Sequence, residues 1–379
     1  MSEDQRAALE ARIADEPDDP LAWSVYADYL QKQGDPHGEL AALQHAADQD
    51  PVGKTKTPAQ RAFARTFAKL APRLLGTLID HGADLKDPAK PPFVWKHGVL
   101  RRVQVGPPPD PTNPGAIWAP RAGMLAAVLA HPAARMLGEL ELRAAHDVDA
   151  ANQLKLLIRH APPQLRELTL FARADLGDLS ELWAALPRLR RITIGARSFE
   201  VGELELPEAR RVELMPLALS PRSMQAIAIA PWTELQRLEI RFGGQDLPPH
   251  ASLREALPLL QRADLPKLTV LKLRGCPYAG ALLRAVAEAP FAAQLVLLDV
   301  MDGNYNPHDL AHVAERKLAF ASLRELWVQT SAITMTNVER ALAGVAKHIV
   351  TRHVSDPLWA EMGAIDVALR NRYREPPEE

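Results

Sequence analysis

The sequence predicts an α/β fold assembled from repeated strand-and-helix units. A small all-helical module precedes them. Three observations carry that reading. A short apolar pattern recurs nine times between residues 100 and 328. Helical patterns lie between its copies. The first fifty residues have the acidic, proline-punctuated look of a helix–turn–helix.

At 379 residues the chain exceeds one ordinary core, so two domains or a repeat array are the starting expectations. Apolar residues make up 47%, yet no apolar run approaches 18 residues, so no membrane span is expected. The opening stretch is acidic and amphipathic, unlike a secretion signal. A single cysteine, Cys276, excludes an internal disulfide and suits a reducing compartment, which points to the cytoplasm. Net charge is −2, but residues 1–50 carry 12 acids and 3 bases, and residues 51–110 carry 11 bases and 4 acids. Two readings of the basic block follow: docking of the acidic head beside it, or contact with nucleic acid.

The repeat comes before any motif, because missing it miscalls the fold. The pattern apolar-x-x-apolar-x-apolar begins at Leu100, Leu137, Leu165, Leu189, Ala209, Leu235, Leu268, Leu295 and Leu323. Its last two apolar positions alternate with polar residues, which is strand period. Helical stretches fall at 123–134, 151–162, 220–232 and 280–293. Ser220 before Pro221 is a helix start, and the Ala-Pro and Leu-Pro pairs are helix stops. One strand and one helix per unit give a parallel sheet with helices behind it.

In the head, Leu9, Ile13, Leu21, Val25, Tyr29 and Leu30 fit apolar helix faces. Asp18 or Asp19 can cap the second helix at Pro20, and Glu39 opens a third. Trp23 and Tyr26 share a face, either as a docking surface or as packing between the helices. Residues 57–79 read as a helix and 84–92 as a loop. The last 25 residues read as a closing helix, with Trp359 and Met362 toward the last repeat, and a disordered tail from Pro376.

These units resemble leucine-rich repeats, closest in rhythm to the helix-rich ribonuclease-inhibitor type. Residues 10–44 resemble the short repeat-companion domain found ahead of such repeats in bacteria, on the motif "VYADYLQKQGDPHGEL" at 25–40. The resemblance implies four segments: an acidic companion module at 1–50, a basic helical connector at 51–97, a solenoid with a parallel-strand horseshoe at 98–354, and a cap and tail at 355–379. It also implies a scaffold rather than an enzyme. The asparagine that usually follows each strand is absent. Ala145, Arg173, Arg197, Gly243, Cys276, Gly303 and Ser331 stand there, so irregular turns are expected.

Little in the chain suggests catalysis. "VGKT" at 52–55 lacks the leading glycine of a phosphate loop, with Asp48 in its place. His308 and His312 share a helix face without an obvious third metal ligand. "DGNYN" at 302–306 lacks the glycine and glutamate of a calcium loop. Cys276, in the ladder position, should be buried and inert. No cofactor or metal is expected.

The residues flanking the key apolar positions form three columns on the open face of the sheet. Arg191, Arg211 and Arg237 would make an unbroken basic rung, with Glu213 and Glu239 beside it as partial answer. Phe171, Met215, Met301 and Trp327 would be apolar anchors on that face, and Arg241 and Arg274 would extend its charge. Val270 and Leu297 would add an exposed apolar strip. A mixed-charge face that simply meets solvent is the competing reading. The expected partner is a protein with an acidic surface, rather than nucleic acid or a membrane. Nucleic-acid binding through 51–110 remains the alternative, weakened by few interleaved aromatics.

Overall fold

The computed structural model describes residues 3–16, 19–49, 57–84, 91–106, 123–144, 147–243, 251–301, 303, 305–328 and 335–351. The readings at 52–55, Asp302, Asn304, Gln329 and 355–379 lie outside them. Among the described residues eleven strands form a sheet in sequence order, β1 to β11. These residues fall into two compact units.

The first unit opens with α1 (Glu3–Asp15), α2 (Pro20–Lys32), α3 (Pro36–Asp48) and α4 (Pro58–Leu75). Local chemistry sets each start. Asp19 accepts the Leu21 N–H at 2.9 Å, and Asp35 accepts that of His37 at 3.0 Å, each with proline next in line. Thr57 and Gln60 form a reciprocal capping box for α4. The third helix therefore starts at Pro36, three residues before Glu39. The antiparallel hairpin β1 (Phe93–Lys96) and β2 (Val99–Val105) follows, then α5 (Met124–Ala130) and β3 (Glu139–Ala144). β2 and β3 pair in parallel. The strand at 93–96 falls within the expected connector, where the sequence reading places no strand.

Trp23 and Tyr26 are packed, not presented. They belong to a buried cluster with Ile13, Leu30, Val99 and Met136. Leu21 and Val25, read as core-facing, are exposed. The buried face of α2 runs through Ala22, Trp23, Tyr26, Ala27, Tyr29 and Leu30, and that arc leaves Leu21 and Val25, one turn apart, on the opposite side. The buried Glu10 accepts the Tyr26 hydroxyl at 2.7 Å, Arg6 Nε at 3.0 Å and Arg135 Nε at 3.0 Å. Arg135 lies beyond the basic block expected to answer the head. The turn His97–Gly98 seats the hairpin on the helices. The His97 N–H donates to Gln44 Oε1 at 2.5 Å, and its ring centroid lies 4.6 Å from that of Trp23. Gly98 has φ +74°, and a Cβ there would meet the His37 carbonyl at 2.4 Å, so only glycine fits.

α6 (Asp147–Arg159) and β4 (Glu167–Asp178) contribute residues to both units. The second unit continues with α7 (Ser180–Ala185), β5 (Arg191–Glu200), β6 (Arg211–Pro216), α8 (Pro221–Ile229), β7 (Arg237–Arg241) and α9 (Leu253–Leu260). It ends with β8 (Val270–Arg274), α10 (Ala279–Ala287), β9 (Leu297–Asp299), α11 (Pro307–Glu315), β10 (Glu325–Trp327), α12 (Met335–Ala341) and β11 (His348–Val350). Strands β5 to β11 pair in parallel with their neighbours. Ser220 caps α8 by accepting the Ser223 N–H at 3.0 Å, as its position before Pro221 predicts. The core contains Leu238, Leu271, Leu298 and Leu326, one from each successive strand, and Trp183 of α7 and Trp232 are buried as well. Trp232 Nε1 donates to the Ile227 carbonyl at 2.8 Å, which satisfies the indole inside the core.

The missing asparagine has a structural answer at Arg173 and Arg197. β4 and β5 run on through those positions as strand instead of turning. The Arg197 carbonyl accepts the Leu217 N–H at 3.2 Å, so backbone groups are met by extended pairing rather than by a side-chain amide.

Candidate protein-binding face

All nine repeat cores of the sequence reading are strands, β2 to β10. In the second unit the column register is as the spacing requires. Arg191 pairs with Arg211, Arg211 with Arg237, Arg237 with Val270, and Val270 with Leu297. Beside that row run Thr193, Glu213, Glu239, Lys272 and Asp299. Adjacent strands stand about 4.8 Å apart, so the three arginines form a continuous rung.

The rung is answered from below. Arg211 donates from Nε to Glu213 Oε1 at 2.8 Å. Arg237 Nε lies 3.0 Å from the same oxygen outside hydrogen-bond alignment, so that contact is coulombic. A second nitrogen of Arg237 donates to Glu239 at 2.8 Å, and Lys272 Nζ sits 3.2 Å from Glu239. Thr193 Oγ1 donates to Glu213 at 2.9 Å. Burial works to raise the Glu239 carboxyl, but Lys272, Arg237 and Arg274 outweigh it and hold it below the usual range. Two strands on, burial wins: Asp299 is held above its ordinary value despite Arg274 Nε at 2.7 Å. Glu213, Glu239 and Asp299 are therefore sunk, and Arg191 and Arg211 stand above them. Arg191 and Arg211 are exposed, and Arg237 and Arg241 are half-buried.

The apolar anchors are corrected. Phe171, Met215 and Met301 are buried and present no surface, and Arg274 is buried with them. They share the seventh position of their units. In the first column Arg191 and Arg211 stay open. Trp327 is half-buried, with Arg274 5.8 Å and Lys272 6.0 Å from its ring centroid, and its Nε1 donates to Glu325 at 2.9 Å. Val270 and Leu297 are half-buried rather than an exposed strip.

The remaining chemical candidates separate. Cys276 is fully buried, and burial pushes its thiol up to about 12. His308 is exposed, and His312 Nε2 lies 3.5 Å from Glu288. No group of three or more metal-binding side chains occurs among the described residues. No helix among them is long and apolar enough to cross a membrane. The sequence reading missed a row of bases along α4, at Arg61, Arg65, Lys69 and Arg73. Its signal was in plain view: a spacing of four, with no acid in the helix.

A strand-and-helix repeat with an in-register parallel ladder is the architecture of a leucine-rich repeat solenoid. A protein of Bacteroides fragilis from a structural-genomics programme superposes with a TM-score of 0.53 at 14% identity, over 79% of this chain and 86% of that one. That likeness concerns the fold alone. The leucine-rich repeat-containing protein LegL7 of Legionella pneumophila matches at a TM-score of 0.33 and 12% identity, over 66% of this chain and 96% of that one. No family model matches the sequence, and no curated protein is similar to it.

Proposed function

We propose that the chain is a non-catalytic scaffold or adaptor that grips a protein with an acidic surface on the strand face of its second unit. The observation that carries this reading is the rung Arg191–Arg211–Arg237, in register, standing over buried carboxylates. A cationic row with its counter-charges sunk beneath it projects net positive potential outward, which steers acidic partners and fixes their register. Arg241 and the half-exposed Trp327 extend the row with residue types that dominate interfaces.

The test compares partner capture by the native chain with capture by Arg191→Gln and Arg211→Gln. Arg254→Gln, an exposed arginine on α9, serves as control. Arg284 is unsuitable for that purpose because it pairs with the buried Asp309 at 3.0 Å. Each rung variant should weaken capture and reduce its salt dependence. A partner held equally by both rung variants and the control would remove the strand face from consideration.

A further inference from the structure

We infer that α4 is a second, independent binding strip, built for the phosphate backbone of a nucleic acid: Arg61, Arg65, Lys69 and Arg73 follow one another at one-turn intervals along its exposed side. Helix α4 is 18 residues long and contains these four bases and no acid. All four are exposed. Its other side is anchored by the buried Phe67, Ala71, Leu74 and Leu75, and its start is fixed by the Thr57–Gln60 capping box. The strip is therefore rigid, and its apolar face is not free to enter a bilayer.

The spacing is costly by itself. Like charges one turn apart on a helix repel and destabilise it. Two such steps, Arg65 to Lys69 and Lys69 to Arg73, join bases that no carboxylate among the described residues pairs. An external polyanion is what relieves that repulsion. Four residues of helix rise about 6 Å, so the strip spans about 18 Å, the length of roughly five phosphates of one strand.

The surroundings favour phosphate over an acidic protein. The exposed surface of α4 otherwise consists of Pro58, Ala68 and Pro72. Beyond the half-buried Phe63 and Leu70, it offers no aromatic or large aliphatic side chain to anchor a protein interface. Backbone binding needs none, because released counterions supply the affinity. Three of the four bases are arginine, whose planar fork matches a phosphate at two points. The few aromatics in this region argued against nucleic acid from sequence, but aromatics serve base stacking, not backbone contact.

The experiment is fluorescence anisotropy of the full chain with a labelled 20-nucleotide single strand and with the matching duplex, from about 50 to 200 mM salt. Binding should be sequence-independent. For the single strand the logarithmic salt slope should be about −2.8 for four contacts. The double variant Arg65→Gln/Lys69→Gln should lose tenfold or more and flatten that slope by about 1.4, while Arg254→Gln changes neither. Circular dichroism should show that the double variant keeps its helix content. Failure of the native chain to bind at 50 mM salt overturns the inference, as does equal binding by the double variant. Tighter binding of polyglutamate or of phosphatidylserine vesicles, through the same two residues, overturns it in favour of those partners. Neither result bears on the arginine rung, which is read by Arg211→Gln.

Discussion

Arg211 donates from Nε to Glu213 across 2.8 Å, and the two side chains differ sharply in exposure, 44% against 2%. The arginine is thus both part of the open face and the counter-charge of a buried acid. Glu213 also touches Arg237 and Thr193, so it holds three strands' side chains in place. Glu213→Gln should lower stability by about 1–3 kcal/mol, less than for a fully buried pair because Arg211 reaches solvent. Arg211→Gln should cost less than that. Urea midpoints of the two variants decide it; equal midpoints would mean the carboxylate is not the keystone of the rung.

Arg274 and Asp299 are a different case, since both are buried and 2.5 Å apart at their closest. Asp299→Asn removes the nearest counter-charge of the buried guanidinium, leaving it only the more distant Glu239, and should cost about 3–5 kcal/mol. Replacing both by apolar residues of similar volume should recover much of the loss. Thermal unfolding of the single and double variants measures this.

Acid should loosen the first unit through His97. Burial, and then the nearby cations, lower its ring to about 4 in the folded protein, against 6.5 unperturbed. The unfolded chain therefore takes up the proton first. His97 contributes fully above about pH 6.5, and its contribution is lost as pH falls toward 4. His97→Asn tolerates the turn's φ of +52° but cannot titrate there. It should flatten the stability profile between those pH values, as followed by denaturant midpoints.

Cys276 should be silent in the native state. With its thiol buried and pushed up to about 12, almost no thiolate exists at neutral pH. A disulfide reagent should label no thiol in buffer and one thiol per chain in denaturant. Rapid native labelling would show that the Cys276 environment opens.

The sequence by itself determined the repeat, because strand period is local. Leu238, Leu271 and Leu298 announce their strands from two or three neighbours, and the register of Arg191, Arg211 and Arg237 follows from aligning those cores. Caps such as Ser220 were legible for the same reason: proline and a short polar side chain act within one turn. β11 was less legible because Thr351 stands where its unit needs an apolar residue, and β1 because it pairs backward across a turn. Only the tertiary structure decided which outward positions stay open. Alternation assigns Phe171, Met215 and Met301 to the same side as the arginines. Their burial is a property of the packed sheet, which no local window of sequence records. Glu10 shows the same limit: its partner Arg135 is 125 residues away, and charge blocks cannot identify such a contact. Solvent exposure is a property of neighbours in space, and a period of two records only direction.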